Sequence, residues 1–485
     1  MTTLCIGSEP SVLAKANILV MPAFAGASGF EVADAELAGK AAHGGQFARH
    51  VLRLDPSFEG KVGQLSALLV PASDQPAVLL VGLGAREAFT ANTLREALMP
   101  VAYFLRKRGQ GVIALDGLGA EPASIVRAAA EACLIGGHAR MSKSEVVIEL
   151  LVSGSAGLQR AFEIGMAAGR AVNWVRDLVE TPGGDLVPAR FAQIVAERAR
   201  QLGVGVEVWD EAELARQGFG ATQAVGRGSA NKPCVVCLYP GRKEARLGLA
   251  GKGITFDSGG INLKRNAEEI AWMKADMAAA AAVAGAVFAA VELGADPDVT
   301  VVLPMAENMP GGHALRPGDV VSHPGGRKTE VVDTDCEGRL VLADAVAHLA
   351  RSGVKEIIDV GTLTDGGGVG PLLWGCWSTS TSLAAALCDA GEFAGEPGWR
   401  LPLRAEYERL IESKVADIAN APLSVPDSGQ LAATYLRTFA GDVPWAHIDN
   451  GSSAYLDQGF EPWPVGATGS PVRALLQLLL NRAGE

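Results

Sequence analysis

Aromatic residues are scarce in this chain. They make up 6% of its 485 residues, while 48% of the residues are apolar and 20% are charged. This composition is typical of a globular protein and not of a disordered one, with cores built mainly from Ala, Val and Leu. The seven cysteines are an odd number without regular spacing, which suits a reducing compartment. We therefore expect a cytoplasmic protein.

Long hydrophobic runs and basic segments are also missing. The longest apolar run without a charge, Met277–Val291, has 15 residues and is mostly Ala, whereas a membrane span needs about 20. No basic segment precedes an apolar run near the start of the chain, so we expect no signal peptide. The net charge of −12 argues against nucleic-acid binding, which needs a basic face. Neither a membrane nor a nucleic acid is an expected partner.

Several common functional motifs are absent or incomplete. No G-x-S-x-G or H-E-x-x-H occurs, so a serine hydrolase with a nucleophile elbow has no support. The segment Gly82–Gly84 lacks the third glycine of a dinucleotide-binding turn. Cys234 and Cys237 would face opposite sides of a strand, which favours core packing over a redox or zinc site. Asp257–Gly259 and Asp427–Gly429 match the D-S-G of aspartic proteases, but an α/β pattern surrounds them, which favours a chance match.

The order of short apolar runs, glycine turns and helical patterns predicts an α/β fold. We expect a smaller N-terminal α/β domain over 1–155, a linker helix over 156–182, and a larger C-terminal α/β domain with a mixed central sheet over 183–485. In such sheets the catalytic and binding residues usually lie in loops beyond the carboxyl ends of the strands. The predicted strands are 77–81, 112–115, 146–152, 234–238, 247–250, 299–303, 330–334 and 356–360. The predicted helices are 93–108, 123–133, 158–179, 271–293, 340–351 and 428–439.

Three carboxylates alternate with uncharged residues after one predicted strand. They are Asp333, Asp335 and Glu337. On an extended backbone, residues two apart point to one face. Carboxylates gathered there repel one another unless a cation lies among them, and oxygen ligands suit divalent metal ions. The alternative interpretation is a solvated turn.

A second segment also places charge in apolar surroundings. Lys252, Asp257, Lys264 and Asp276 lie in and after a glycine-rich loop that leads to an apolar helix pattern. These residues give further weight to a metal site over a solvated turn.

At this point a family resemblance becomes specific. The string Gly251–Gly260, followed downstream by Asp335–Leu340, resembles the leucyl aminopeptidase family of two-metal peptidases. The first half of the chain fits the family's smaller N-terminal domain but carries no distinctive motif. Further matches occur in the family's order from about residue 175 to the end of the chain: Asn308–Pro310, Arg316–Asp319, Leu401–Leu403, Val415–Ile418, Trp445–His447 and Gly466–Gly469.

The resemblance implies a metal-dependent aminopeptidase that removes N-terminal residues from peptides by attack of a metal-bound hydroxide. It implies two divalent ions per subunit, Mn²⁺ or Zn²⁺, and a homohexamer as the expected assembly. Lys264 would stabilise the oxyanion, and Arg339 would hold a bicarbonate that serves as general base. The implied metal ligands are Lys252, Asp257, Asp276, Asp335 and Glu337.

Two other functions stay open beside this one. An inactive relative could act as a scaffold or binding protein, although the intact ligand set favours activity. Some relatives bind DNA as regulators, a function that the charge of −12 disfavours.

The resemblance also implies a pocket for the first side chain of the peptide. Its residues would be Met273, Thr362, Leu363, Asp365 and Gly451. Asp365 stands where the family has Gly, which suggests a shift in preference from Leu towards Lys or Arg. The alternative is that Asp365 faces solvent or caps a helix.

Two departures from the family pattern lie on the metal side of this pocket. Ala278 and Ala279 replace glycines at the start of a helix, where they could crowd the metal loop. One extra residue separates Lys264 from Asp276, so the loop between them could be placed differently.

Overall fold

The chain forms two compact units. The computed structural model describes residues 2–7, 17–26, 29–37, 55–69, 76–140, 145–241 and 245–484. The division lies between Met1–Asn173 and Trp174–Glu485, and a helix, Gln159–Val179, crosses it. The domain limits inferred from the sequence, including the linker helix over 156–182, remain predictions.

The first unit is built on a six-stranded sheet. Its order is β1-β6-β5-β2-β3, with β4 also paired to β2, and every pairing is parallel except that of β2 with β3. The strands are β1 (Thr2–Gly7), β2 (Ile18–Gly26), β3 (Gly29–Val32), β4 (Ala77–Ala85), β5 (Gln110–Ala114) and β6 (Val146–Leu151). The helices are α1 (Ala91–Arg106), α2 (Pro122–Gly137) and the boundary helix α3 (Gln159–Val179).

Local sequence explains where these helices begin. Thr90 caps α1 through a reciprocal pair of hydrogen bonds with Thr93, which satisfies free backbone donors of the first turn. Pro122 occupies the first turn of α2, where its fixed φ suits the helix and its missing N–H costs nothing.

The second unit holds a nine-stranded sheet, two smaller sheets and most of the helices. Its strands are β7 (Gly205–Trp209), β8 (Cys234–Tyr239), β9 (Leu247–Gly251), β10 (Gly253–Asp257), β11 (Val299–Asn308), β12 (Val320–Ser322), β13 (Lys328–Glu330), β14 (Glu356–Gly361), β15 (Trp374–Ser378), β16 (Gly398–Arg400), β17 (Ile418–Ala419), β18 (Trp445–Asp449), β19 (Tyr455–Leu456) and β20 (Gly466–Ala467). Its helices are α4 (Pro188–Gln201), α5 (Glu211–Gln217), α6 (Gly220–Gly226), α7 (Ala267–Trp272), α8 (Ala278–Glu292), α9 (Glu337–Ser352), α10 (Thr381–Ala394), α11 (Gly429–Ala440), α12 (Gly451–Ala454) and α13 (Val472–Ala483). Short 3-10 helices lie at Arg86–Ala88, Ser155–Leu158, Met273–Ala275 and Ala405–Ile411.

The large sheet is mixed, as the sequence predicts. Its order is β16-β15-β18-β14-β9-β11-β8-β7, with β10 also paired to β11. The central run β18, β14, β9 and β11 is parallel. On one side β15 pairs antiparallel with β18 and parallel with β16, and on the other side β8 pairs antiparallel with both β11 and β7. The carboxyl ends of the central strands therefore meet at one edge of the sheet.

The Ala-rich segment forms a core helix. The stretch Ala267–Glu292 is long and apolar enough to cross a membrane by length and composition alone, but 89% of its most apolar window is buried inside this protein. Its small side chains allow close packing against β9, since a Cβ atom at Gly251 would lie 2.7 Å from the Cα of Ala280. All seven cysteines are free, and Cys234 and Cys237 are buried on β8.

The predicted strand over 330–334 is wrong. Strand β13 ends at Glu330, and a turn follows in which Asp333 Oδ1 accepts a hydrogen bond from the N–H of Asp335 at 2.9 Å. Glu337 then begins α9. The carboxylates at 333, 335 and 337 therefore do not share one face of an extended strand, because the side chain of Asp333 closes the turn itself.

The core between the sheet and α9 makes a measurable contribution to stability. Leu349 is fully buried in the cluster that joins α9 to the sheet. We expect Leu349→Ala to lower the free energy of unfolding by about 2–5 kcal/mol, the usual cost of truncating a buried leucine. Leu423→Ala is the control, because Leu423 is 78% exposed and its loss should cost under about 0.5 kcal/mol. Urea unfolding measures both, and equal losses would contradict the assigned core.

Candidate active site

A charged cluster lies at the carboxyl ends of the parallel strands. Lys252 directly follows β9, Asp257 is the last residue of β10, and Thr362 directly follows β14. Asp276 follows the 3-10 turn before α8, and Glu337 is the first residue of α9. The fold thus brings these side chains from separate segments to the edge where α/β sheets usually hold their sites.

Two lysines lie among four carboxylates. The Nζ of Lys252 lies 2.7 Å from Asp276 Oδ1 and 2.9 Å from Glu337 Oε1. The Nζ of Lys264 lies 2.9 Å from Asp257 Oδ2 and 2.7 Å from Asp335 Oδ1. The extra residue between Lys264 and Asp276 therefore does not keep either side chain from this cluster.

The cluster keeps oxygen atoms that the protein does not satisfy. Asp276 Oδ2 and Glu337 Oε2 are buried without a hydrogen-bond partner, and Asp335 Oδ1 and Glu337 Oε1 have only a nearby lysine without hydrogen-bond geometry. Asp257, Asp335 and Glu337 each offer a ligand oxygen within 4.8 Å of the others. Unpaired buried carboxylate oxygens are costly, and divalent cations would relieve that cost. The donor set therefore fits metal ions.

The pKa values reflect this crowding. Burial, together with the charges of Asp257 and Glu337, raises the pKa of Asp335 to about 7 against the opposing pull of Lys264. Burial also raises the pKa values of Asp276 and Glu337. These carboxylates do not readily ionise together, because like charges repel one another strongly where the dielectric constant is low.

The pKa values of the two lysines also rise, which for a lysine favours the charged form. Burial favours a neutral amine at Lys252, but the attraction of Asp276, Glu337 and Asp257 is stronger and raises its pKa. The pKa of Lys264 rises for the same reason, through its acidic neighbours. In the free protein both lysines are therefore ammonium groups that serve as counter-charges.

Neighbouring polar groups fix the orientation of Asp257. Its Oδ1 accepts hydrogen bonds from the N–H of Gly259 and from Asn308 Nδ2, each at 2.8 Å. Gly259 has φ +87°, and a Cβ there would lie 2.8 Å from Asp335 Oδ1. Only glycine suits this turn, because it combines a left-handed conformation with close approach to a carboxylate.

Thr362, which follows β14, fixes the position of the Asp276 side chain. Thr362 Oγ1 donates to Asp276 Oδ1 at 2.8 Å, and the Nζ of Lys252 donates to the Thr362 carbonyl at 2.8 Å. Thr362 thus contacts both members of the Lys252–Asp276 ion pair.

Arg339 has a carboxylate partner within the chain. Its guanidinium, 2% exposed, donates from both terminal nitrogens to Asp427 and also to the carbonyl of Asn420 at 2.8 Å. Asp427 lies in the second D-S-G segment, for which the sequence favoured a chance match. The two terminal nitrogens that a bicarbonate would use are therefore engaged by Asp427.

A cavity of about 230 Å³ opens over the cluster. Met273, Thr362, Leu363 and Gly451 line it, where the sequence predicts the pocket for the first side chain. The full lining also includes Lys252, Asp257, Lys264, Glu269, Trp272, Ala275, Asp276, Asp335, Glu337, Thr364, Ala454 and Tyr455.

Asp365 lies elsewhere. It is exposed, it is not among the residues that line this cavity, and its Oδ1 accepts hydrogen bonds from the N–H groups of Gly367 and Gly368 at 3.1 and 3.2 Å. This geometry favours the alternative interpretation, in which Asp365 is a solvent-facing cap, over a role in the pocket.

Sequence reasoning missed six of the residues that line the cavity, namely Glu269, Trp272, Ala275, Thr364, Ala454 and Tyr455. A signal for two of them was present. Glu269 and Trp272 precede the predicted pocket residue Met273 by four positions and one position, within the segment that carries the extra residue. A helix there places positions 269 and 273 on one face.

Comparisons with known proteins decide the family. The sequence profile of the cytosol aminopeptidase family, catalytic domain, matches residues 173–476, and that of the family's N-terminal domain matches residues 35–139. The chain belongs to the cytosol aminopeptidase family. It is therefore an aminopeptidase of the hydrolase class, as the resemblance implies.

Relatives carry the cytosol aminopeptidase name, and a solved structure is similar to this chain in sequence and fold. The chain is 39% identical to the "Probable cytosol aminopeptidase" of Roseiflexus castenholzii, over 87% of this chain and 91% of that protein. It is 36% identical to a protein of the same name from Streptomyces coelicolor, over 100% of both chains. The structure titled "Bottromycin maturation enzyme BotP in complex with Mn" matches with a TM-score of 0.85 and 36% identity, over 96% of this chain and 100% of that one.

Gly451 tests whether the cavity serves the aminopeptidase activity. A Cβ at this position would lie 1.8 Å from the carbonyl oxygen of Thr364, a backbone atom of the cavity wall. We expect Gly451→Ala to displace that wall and lower kcat/KM by about tenfold or more, since small misplacements in a site are costly. Gly312→Ala is the control, because nothing lies within 4 Å of a Cβ there. Peptide-anilide kinetics and circular dichroism measure both, and full activity of folded Gly451→Ala would contradict the assignment.

Proposed function

We propose that this aminopeptidase removes the first residue of peptides with a free N-terminus by means of two divalent metal ions held in the charged cluster. The supporting observation is the set of buried carboxylate oxygens without a hydrogen-bond partner, on Asp276, Asp335 and Glu337, beside two lysines. A protein that used this cluster only for folding would gain nothing from leaving those oxygens unsatisfied.

The proposed ligands are Lys252, Asp257, Asp276, Asp335 and Glu337. Their four carboxylates carry −4 and two divalent ions carry +4, so the charges balance when Lys252 binds as a neutral amine. Lys252 must then release the proton that its carboxylate neighbours hold in the free protein, a loss that metal ligation drives. When bound, two such ions supply a hydroxide nucleophile near neutral pH by lowering the pKa of a water molecule.

The remaining residues position the substrate and stabilise charge. The free amino group of the peptide would bind at the metal site near Asp276. Lys264 keeps its proton and faces the cavity, where its ammonium group would stabilise the oxyanion that develops on the scissile carbonyl. A free amino group is thereby required, which makes the enzyme an exopeptidase.

Other properties of the family extend to this chain as proposals. Mn²⁺ is a candidate ion, supported by the manganese complex of the BotP structure, and Zn²⁺ is the alternative. The names of the relatives support a cytoplasmic location. A homohexamer remains the expected assembly. The complete ligand set speaks against an inactive scaffold, which would be expected to have lost a ligand.

Removal of one carboxylate should separate metal binding from folding. We expect Glu337→Gln to abolish the rise in Tm that Mn²⁺ or Zn²⁺ gives the wild type and to lower kcat/KM more than about 100-fold, because a ligand charge is lost. Glu412→Gln, at an exposed position, is the control and should behave as wild type. Metal content by mass spectrometry completes the test. Two ions and full turnover in Glu337→Gln would contradict the proposed ligand set.

The resemblance implies a bicarbonate at Arg339, and here a carboxylate of the chain already occupies that position beside the guanidinium. We infer that Asp427 supplies the anion for Arg339 from within the chain, since it already engages both terminal nitrogens. Removing Asp427 would leave a buried guanidinium without its partner, which is unfavourable unless another anion enters.

Added bicarbonate tests this role of Asp427. We expect wild-type kcat/KM to change less than about twofold with bicarbonate. Asp427→Ala should lose about tenfold in activity and regain part of it with bicarbonate or formate. Asp442→Ala, at an exposed position, is the control. Strong stimulation of the wild type by bicarbonate would instead show that the ion displaces Asp427.

A further inference from the structure

The cavity lining includes an acidic residue, Glu269, that neither the metal cluster nor the hydrolysis step uses. We propose that Glu269 makes the enzyme selective for peptides whose first residue has a positively charged side chain, Lys or Arg. This inference rests on the proposed function, because it concerns the substrate of the same site.

Glu269 has a carboxylate that is free to accept a ligand. It lines the cavity, it is half-buried, and it forms no side-chain hydrogen bond or ion pair within the part of the chain that the structure describes. The side chain of Asn266 caps the helix at its base, accepting from the N–H of Glu268 at 2.9 Å and of Glu269 at 3.4 Å. The backbone that carries Glu269 is therefore fixed, while its carboxylate group remains available.

The position of Glu269 places it beside the pocket for the first side chain. Glu269, Trp272 and Met273 occupy positions i, i+3 and i+4 along α7 and the 3-10 turn that follows, and all three line the cavity. Side chains at these spacings lie next to one another on one face. A substrate side chain that passes Met273 therefore approaches the carboxylate of Glu269.

The other acidic residues of the cavity lining already have partners. In the free protein Asp276 and Glu337 pair with Lys252, and Asp257 and Asp335 pair with Lys264, while in the loaded enzyme all four would hold the proposed ions. Lys274, the residue after Met273 in the chain, forms an ion pair with Glu180 at 2.7 Å. Glu269 is thus the acidic residue of the cavity lining that has no ion-pair partner among the described residues.

Two aromatic rings complete a surface suited to a cationic side chain. Trp272 and Tyr455 are stacked with ring centroids 6.2 Å apart and planes 27° from parallel, and both line the cavity. The aliphatic stem of Lys or Arg packs well against such rings, and its charged end is attracted to a carboxylate. The Nζ of Lys274 already lies 5.8 Å from the centroid of the Tyr455 ring, so Trp272 is the ring left for a substrate cation. A leucine side chain would gain the packing but would leave Glu269 without a partner.

Lysine and norleucine substrates provide the sharpest comparison, because their side chains differ by one ammonium group. We expect the wild type to cleave lysine p-nitroanilide with a kcat/KM about five- to tenfold above that of norleucine p-nitroanilide, the range for a partly exposed ion pair with aromatic support. In Glu269→Gln the ratio should fall to about one, through loss of the lysine rate alone. Glu268→Gln removes the same charge from the same helix outside the cavity and should keep the wild-type ratio.

A binding measurement gives a readout that does not depend on turnover. L-lysinol and L-norleucinol cannot be hydrolysed, and calorimetry on the metal-loaded wild type should give L-lysinol the lower Kd by a similar factor. Glu269→Gln should remove that difference.

The possible outcomes separate this inference from the proposed function. Cleavage of both anilides with equal kcat/KM by the wild type, or an unchanged ratio in Glu269→Gln, would overturn the role of Glu269 and leave the aminopeptidase mechanism standing. Failure of the metal-loaded wild type to cleave either anilide, or leucine p-nitroanilide, would overturn the proposed function itself.

Discussion

The site depends on one electrostatic constraint: four carboxylates must remain close together inside the protein. In water they would separate, and in low dielectric they cannot all ionise without compensation. Lys252, which is buried, and Lys264, which is partly buried, provide that compensation in the free protein, at 2.7 to 2.9 Å from their acidic partners. Strand ends, the turn at Gly259 and the start of α9 serve to hold these groups in place against their mutual repulsion.

Much of the fold could be predicted because its elements follow strong local patterns. Apolar runs that end at glycine marked β4, β5, β6, β9 and β14, and the helical spacing of apolar residues marked α1, α2 and α3. The mixed central sheet is confirmed. The strand predicted over 330–334 failed because the side chain of Asp333 competes for backbone hydrogen bonds, which alternation of residue types does not reveal.

The carboxylates of the site were identified from the sequence for a partly incorrect reason. Asp335 and Glu337 do meet at the cluster, yet a turn and a helix start bring them there, not an extended strand. The pairing of Arg339 with Asp427 could not be foreseen, because it joins residues 88 positions apart. The same holds for the contact between Trp272 and Tyr455. Long-range partners of this kind depend on the tertiary fold and leave no local pattern.

Asp365 has a consequence for how such a pocket can evolve. Its carboxylate anchors a loop in which Gly366, Gly367, Gly368 and Gly370 all have positive φ, between 69° and 94°. Side chains at these positions would be strained, and one at Gly367 would lie 2.5 Å from Leu401. This loop is consequently closed to variation, and it contributes no residue to the cavity lining, so new substrate preferences must arise at residues that do line the cavity.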